Sequence, residues 1–187
     1  MSLRGFGYQT LTGSPQPLFG TTLSAAVSPS PDFYTGRLDP GSQNSSAYLY
    51  LNAPVNLFRT GDHVMVGASD SFVQGATVSP DGGTVQAVNL SASNILVTGL
   101  QRKHSASEWV ILALPVAEVD IQNGASGTLY LGEDNTVGAG SATLAKTTAA
   151  DTTMTIGSPG LGNMIETQKL WVKGTASNTI LPSLLTI

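Results

Sequence analysis

A chain of 187 residues with no cysteine has neither disulfides nor thiolate metal sites, so burial and hydrogen bonding must hold it together. Only 11% of its residues are charged, against roughly 25% in an average protein, and the net charge is −4. The eight Lys and Arg are scattered, which excludes a basic nucleic-acid footprint, and no run approaches the roughly 18 apolar residues of a membrane helix.

So weakly charged a surface keeps copies apart poorly and suits faces that end against other polypeptides. Met1-Ser2-Leu3-Arg4 leads into Gly5-Phe6-Gly7-Tyr8, which is not a secretory signal, so synthesis in the cytoplasm is expected.

In chain order, residues 1–46 hold five of the ten prolines: Pro15, Pro17, Pro29, Pro31 and Pro40. Proline fixes φ and removes a donor, so this segment resists helix and central strand alike. It is expected to be an extended N-terminal arm. Its spaced apolar residues, among them Leu11, Leu18, Phe19, Leu23, Phe33 and Tyr34, need a surface to lie on. That surface is either its own domain or a neighbouring subunit joined by strand addition.

Residues 47–116 read as a small antiparallel β-barrel or sandwich. Ala47 to Leu51, His63 to Gly67, Thr84 to Leu90, Asn94 to Thr98 and Trp109 to Leu114 are its strands, with a further candidate at Gln74 to Val78. Thr60-Gly61-Asp62, Pro80-Asp81-Gly82-Gly83 and Ser91-Ala92-Ser93 are its turns, and Pro115 ends the set.

Residues 117–187 form a second β unit. Thr128 to Leu131 and Leu170 to Lys173 are its clearest strands, with Ala142 to Leu144 and Thr153 to Ile156 between them and a loop over Gly157 to Asn163. Period-2 alternation predicts Lys169, Trp171 and Lys173 on one face and Leu170 and Val172 on the other. No amphipathic helix of ten residues is present. The fold class expected is all-β.

Reactive side chains are sparse. His63 and His104 are the only imidazoles; no nucleophile elbow accompanies them, and each reads as an ordinary surface or strand residue, with Glu108 in reach of His104. Glu133-Asp134-Asn135 reads as a solvated turn rather than a spaced calcium loop. Asp62, Asp70, Asp81 and Asp151 fall where aspartate caps its own backbone. Gly138-Ala139-Gly140-Ser141 lacks the Lys and hydroxyl residue of a phosphate loop. Tyr48 and Tyr50 are the one same-face aromatic pair. No catalytic residue, metal or cofactor is expected.

Pro17-Leu18-Phe19-Gly20-Thr21-Thr22-Leu23 and Leu57-Phe58-Arg59-Thr60-Gly61-Asp62-His63-Val64-Met65-Val66 resemble the openings of small structural proteins from the head modules of tailed bacteriophages. The hairpin over Thr84 to Val97, the connection from Leu100 to His104 and the strand from Trp109 to Leu112 continue the resemblance. Leu129-Tyr130-Leu131-Gly132 and Leu170-Trp171-Val172-Lys173-Gly174-Thr175 extend it to the C-terminal part. The resemblance implies a capsid decoration (cement) or minor head protein on the virion surface, bound to the major capsid protein and assembled as a dimer or trimer. Leu18, Phe19, Leu23, Phe33 and Tyr34 of the arm, with Trp171, are then the expected partner-binding anchors. A tail, adaptor or baseplate component, or a carbohydrate-binding adhesin module, is the alternative.

Overall fold

The computed structural model describes residues 2–31, 45–52, 55–73, 75–124, 127–138, 143–147, 149–157 and 164–186. Its regular elements are antiparallel strands and short 3-10 turns, as the all-β reading expects. The chain divides into two units, Met1–Phe19 with Leu114–Ile187, and Gly20–Ala113.

The first unit opens with β1 (Ser2–Gly5), β2 (Gln9–Thr10) and β3 (Gln16–Pro17). The second unit follows as β4 (Gly20–Thr22), β5 (Ser30–Pro31), β6 (Ser45–Tyr50), β7 (His63–Gly67), β8 (Asp81–Asn89), β9 (Asn94–Thr98) and β10 (Trp109–Leu112). These form one sheet in the order β4-β10-β7-β8-β9-β6-β5. Just past β4, Leu23 bridges Leu51, just past β6. Ser24 N donates to Tyr50 O and Asn52 N to Thr22 O, both at 2.9 Å. This bridge brings the first strand of the sheet back against β6 and forms a barrel seam, which removes an exposed edge. The alternation of β6 sends Ala47 and Leu49 inward, where they join Leu23, Val64, Val66, Val85, Ile95 and Val97 in a core without measurable exposure at most positions.

Pro80-Asp81-Gly82-Gly83 is not the turn that its composition suggests. Asp81, Gly82 and Gly83 begin β8 and pair with Val66, Met65 and Val64 of β7. Neither glycine has positive φ. Gly83 is there for want of space: a Cβ would meet Val97 Cγ1, lie 2.9 Å from Thr98 O and 3.3 Å from Leu100 Cδ2. Gly83→Ala is expected to cost about 1–3 kcal/mol by overpacking. Gly82→Ala, whose Cβ meets only Met65 Sδ at 3.4 Å, is the mild control. Urea midpoints of the two variants measure the difference. The expected strand at Gln74 to Val78 is absent among the described residues, which form bends and a turn there; Gln74 itself lies outside them.

The first unit resumes with β11 (Pro115–Asn123), β12 (Leu129–Gly132), β13 (Thr143–Thr147), β14 (Thr153–Gly157), β15 (Ile165–Glu166), β16 (Trp171–Gly174) and β17 (Thr179–Thr186). One sheet runs β1-β17-β11-β14, with β2 also on β17 and β15 also on β11. The other runs β13-β12-β16-β3. Val119, Ile121, Ile180 and Leu184 of the first, and Leu129, Leu131, Trp171 and Val172 of the second, are all buried.

Pro115 begins a nine-residue strand here, a position where a missing donor does no harm. Pro182 stands inside β17, opposite Ile121. Its carbonyl accepts Phe6 N at 3.1 Å, so the side that lacks an N–H faces the interruption between β1 and β2, where no ladder partner is required.

Of the two surfaces expected to carry the N-terminal segment, it is this chain itself that residues 2–31 pair with. Residues 2–19 pair within the first unit, and residues 20–31 within the second, so the units part at 19/20 and 113/114 rather than at 46/47 and 116/117. Edge pairing explains how its prolines are tolerated: Pro17 and Pro31 lie on the outermost strands β3 and β5. The expected alternation at Lys169 to Lys173 also fails. Lys169 ends a 3-10 turn, so the strand starts at Trp171, and Leu170, Trp171 and Val172 are all buried.

Candidate functional site

Among the described residues, a cluster of titratable groups in the second unit is built around His104. Val27 and His104 pair backbone to backbone, N to O at 2.8 and 2.9 Å, which fixes the connection before β10. The His104 ring then stands between two carboxylates. Nδ1 is 2.8 Å from Glu108 Oε2, and Nε2 is 3.2 Å from Asp81 Oδ2. Asp81 Oδ2 also accepts Gln101 N at 2.8 Å and Arg102 N at 3.0 Å, and Glu108 Oε1 accepts Ser105 N at 3.0 Å. Arg102 Nη2 donates to Ser79 O at 2.5 Å.

His104 is 4% exposed, so it is a buried residue and not the surface histidine expected. The ring thus links the two carboxylates through its two nitrogens. Each ring nitrogen and both acids of the cluster are engaged in structural bonds. Among the described residues no group of three His, Cys, Asp or Glu is placed to hold a metal. Its work is to clamp residues 101–108 onto the start of β8. Asp81, twenty-three residues from His104, carried no sequence signal for this role; the anticipated partner Glu108 did, by its spacing.

The remaining polar candidates are local. His63 is exposed at the start of β7, with Nδ1 3.4 Å from Thr84 Oγ1. Asp62 Oδ2 accepts Arg59 N at 2.7 Å, a turn cap as expected. Asp134 Oδ1 accepts Thr136 N at 2.8 Å and its hydroxyl at 2.6 Å, closing the acidic turn on itself. A surface depression of about 310 Å³ is lined by Asp70, Ser71, Val73 and the 75–78 turn, with one carboxylate and no second acid or base. Residues 139–141 lie outside the described residues.

Lys169 Nζ is 2.6 Å from Glu166 Oε2. That hydrogen bond, followed by the charge of Glu166, raises the lysine above its ordinary 10.5. A raised folded-state value stabilises the fold below the unfolded value and is lost as pH climbs through the raised one. With both partners well exposed, the pair contributes little.

Of the expected partner anchors, Leu18, Phe19, Leu23 and Trp171 each have 0% exposure. They sit in the cores of their own units. Phe33 and Tyr34 lie outside the described residues. Large apolar side chains that do reach solvent among the described residues are different ones, and they include Leu3 at 71% and Tyr8 at 70% in the first unit, and Tyr48 at 57%, Tyr50 at 46% and Leu90 at 66% in the second.

Tyr48 and Tyr50 share the outward face of β6, as their i, i+2 spacing requires. In register across that face, Tyr48 stands opposite Leu96, which stands opposite Ala87; Tyr50 stands opposite Asn94, which stands opposite Asn89. Asp81 is the sole charged residue in the three strands β6, β8 and β9, and it is turned into the His104 cluster. The face is thus aromatic, uncharged and bordered by amides and hydroxyls.

No protein-family model matches the chain, and no curated protein matches it. Among solved structures, the VP16-VP17 complex, a complex of the two major capsid proteins of bacteriophage P23-77, aligns over 99% of this chain and 79% of that chain, with 10% sequence identity and a TM-score of 0.21. VP17, a capsid protein of bacteriophage P23-77, aligns over 99% and 77%, with 12% identity and a TM-score of 0.19. Superpositions at that level establish no common fold.

Proposed function

We propose that this chain is a virion structural protein: a capsid decoration protein that binds the major capsid protein of a tailed bacteriophage and stabilises the mature head. The observation that carries this reading is the uncharged outer face of β6, β9 and β8 with Tyr48 and Tyr50 exposed on it. Tyrosine supplies large contact area at little entropic cost and is enriched at protein interfaces. A neutral face sets no like charges against a partner or a sister copy. The head-protein resemblance of Pro17 to Leu23 and Leu57 to Val66, and the low overall charge, support the same reading. His104, Asp81 and Glu108 are engaged in holding loops, which also favours assembly over chemistry.

Co-sedimentation with mature and with empty shells tests it. The protein is expected to pellet with shells, and Tyr48→Ser with Tyr50→Ser is expected to weaken binding roughly 30-fold, the loss of one interface hot spot. Failure of the unaltered protein to pellet with mature shells rejects the decoration role. The same tyrosine pair favours a second reading, a neutral-glycan module, because stacking rings bordered by amides suit sugars. Glycan-array binding lost in the double variant, without any shell binding, selects it.

A further inference from the structure

Asn123 and Gly124 make the one Asn-Gly dipeptide in the chain. In a flexible peptide this pair undergoes deamidation readily, because glycine carries no Cβ to hinder its nitrogen from reaching the asparagine side chain. The Gly124 nitrogen bonds to Asn123 Cγ, the bond from Cγ to Nδ2 breaks, and the amide nitrogen leaves as ammonia with the proton from Gly124. A succinimide results. Water then opens the ring to give aspartate or isoaspartate, the second with an extra methylene in the main chain. No reactant beyond water is required.

The fold ties down every group in that reaction. Asn123 has 0% exposure. Its Nδ2 donates to Ala149 O at 3.0 Å and Gly127 O at 3.3 Å, and its Oδ1 accepts Asn178 Nδ2 at 2.8 Å. Its backbone N donates to Thr152 O at 2.9 Å, and its carbonyl accepts Asp151 N at 2.7 Å. The would-be nucleophile, Gly124 N, donates to Thr179 O at 2.8 Å. Gly124 also lies close against that strand, where a Cβ would come within 2.7 Å of Thr179 Oγ1 and 2.9 Å of Thr179 O. Attack requires Gly124 N to leave Thr179 O and swing towards Cγ, so the ends of β11 and β17 must part first.

We infer that Asn123-Gly124 is a self-modification site gated by the fold: unreactive while the unit is closed, converted when it opens, and an obstacle to its closing again. The last step follows from the polarity of the pocket. Gly127 O and Ala149 O are both acceptors, matched to an amide NH₂ and repelled by a carboxylate. Isoaspartate further lengthens the chain between the bonds to Asp151, Thr152 and Thr179. An opened unit is thereby marked covalently and withdrawn from refolding, which suits a chain that must stay folded for long periods in an assembly.

The test incubates the full-length protein at neutral pH with and without urea. Isoaspartyl methyltransferase labelling and peptide mass mapping then read the 123–124 peptide. Labelling is expected to be at least about 100-fold slower in the folded protein, since reaction is confined to the open fraction. Equal rates in the two samples overturn the gating. Asn123→Asp, which places the carboxylate directly, is expected to lower the unfolding midpoint or prevent the unit from folding. An Asn123→Asp protein as stable as the unaltered one overturns the obstruction to refolding.

Discussion

Trp171→Ala is expected to destabilise the unit made by Met1–Phe19 and Leu114–Ile187 by about 3–5 kcal/mol. Trp171 lies on β16 between β12 and β3, opposite Gly132 on one side and Pro17 on the other, with no exposed surface. Truncation removes the largest wholly buried side chain and leaves a cavity that two backbone-paired neighbours cannot collapse into. Against the 5–15 kcal/mol that usually separates folded from unfolded states, such a loss takes much of the margin. Urea denaturation followed by far-ultraviolet circular dichroism measures it, since Trp171 fluorescence disappears with the mutation. A loss below about 1 kcal/mol is incompatible with the packing described, because exposed tryptophans are the ones that truncate cheaply.

His104→Ala is expected to cost a similar amount, about 3–5 kcal/mol, for a different reason. The ring separates Asp81 and Glu108 and hydrogen-bonds both, and without it two part-buried carboxylates face each other, each short of a partner. Removing one member of a buried hydrogen-bonded cluster leaves the others unsatisfied, which is worse than never having had them. His104→Ala with Asp81→Asn and Glu108→Gln is expected to recover part of the loss, since the amides carry no charge. Thermal unfolding of the single and triple variants decides it. If the triple variant is no more stable than the single one, lost packing and not stranded charge accounts for the effect.

Some strands were legible residue by residue. His63–Gly67 and Asn94–Thr98 form within the limits that their apolar runs between turn residues predict, and Leu129–Gly132 and Trp171–Gly174 lie within a residue of their expected limits and pair with each other. β17 was not legible, because Pro182 in its middle argues against a central strand until the gap between β1 and β2 is known. Asp81-Gly82-Gly83 misled for the complementary reason. Glycine is required both where φ turns positive and where a neighbour leaves no room for Cβ, and only the approach of Val97 and Thr98 tells these apart. Tyr48 and Tyr50 were readable as a same-face pair, but not that their face would be the solvent side of the barrel.

Composition and local pattern by themselves determined the all-β class, the absence of sulfur chemistry, most strand positions and the paired tyrosines. All of these depend on a residue and its near neighbours in the chain, where period and propensity act. Tertiary structure decided the rest. It drew Leu18, Phe19, Leu23 and Trp171 into the cores, wove residues 2–31 into the sheets of two units, and joined Asp81 to His104 and Asn123 to Asn178. An apolar side chain looks the same in sequence whether it will cover a partner or fill its own core. The choice is made by the area left unburied once the sheets have paired, and that pairing joins residues far apart in the chain.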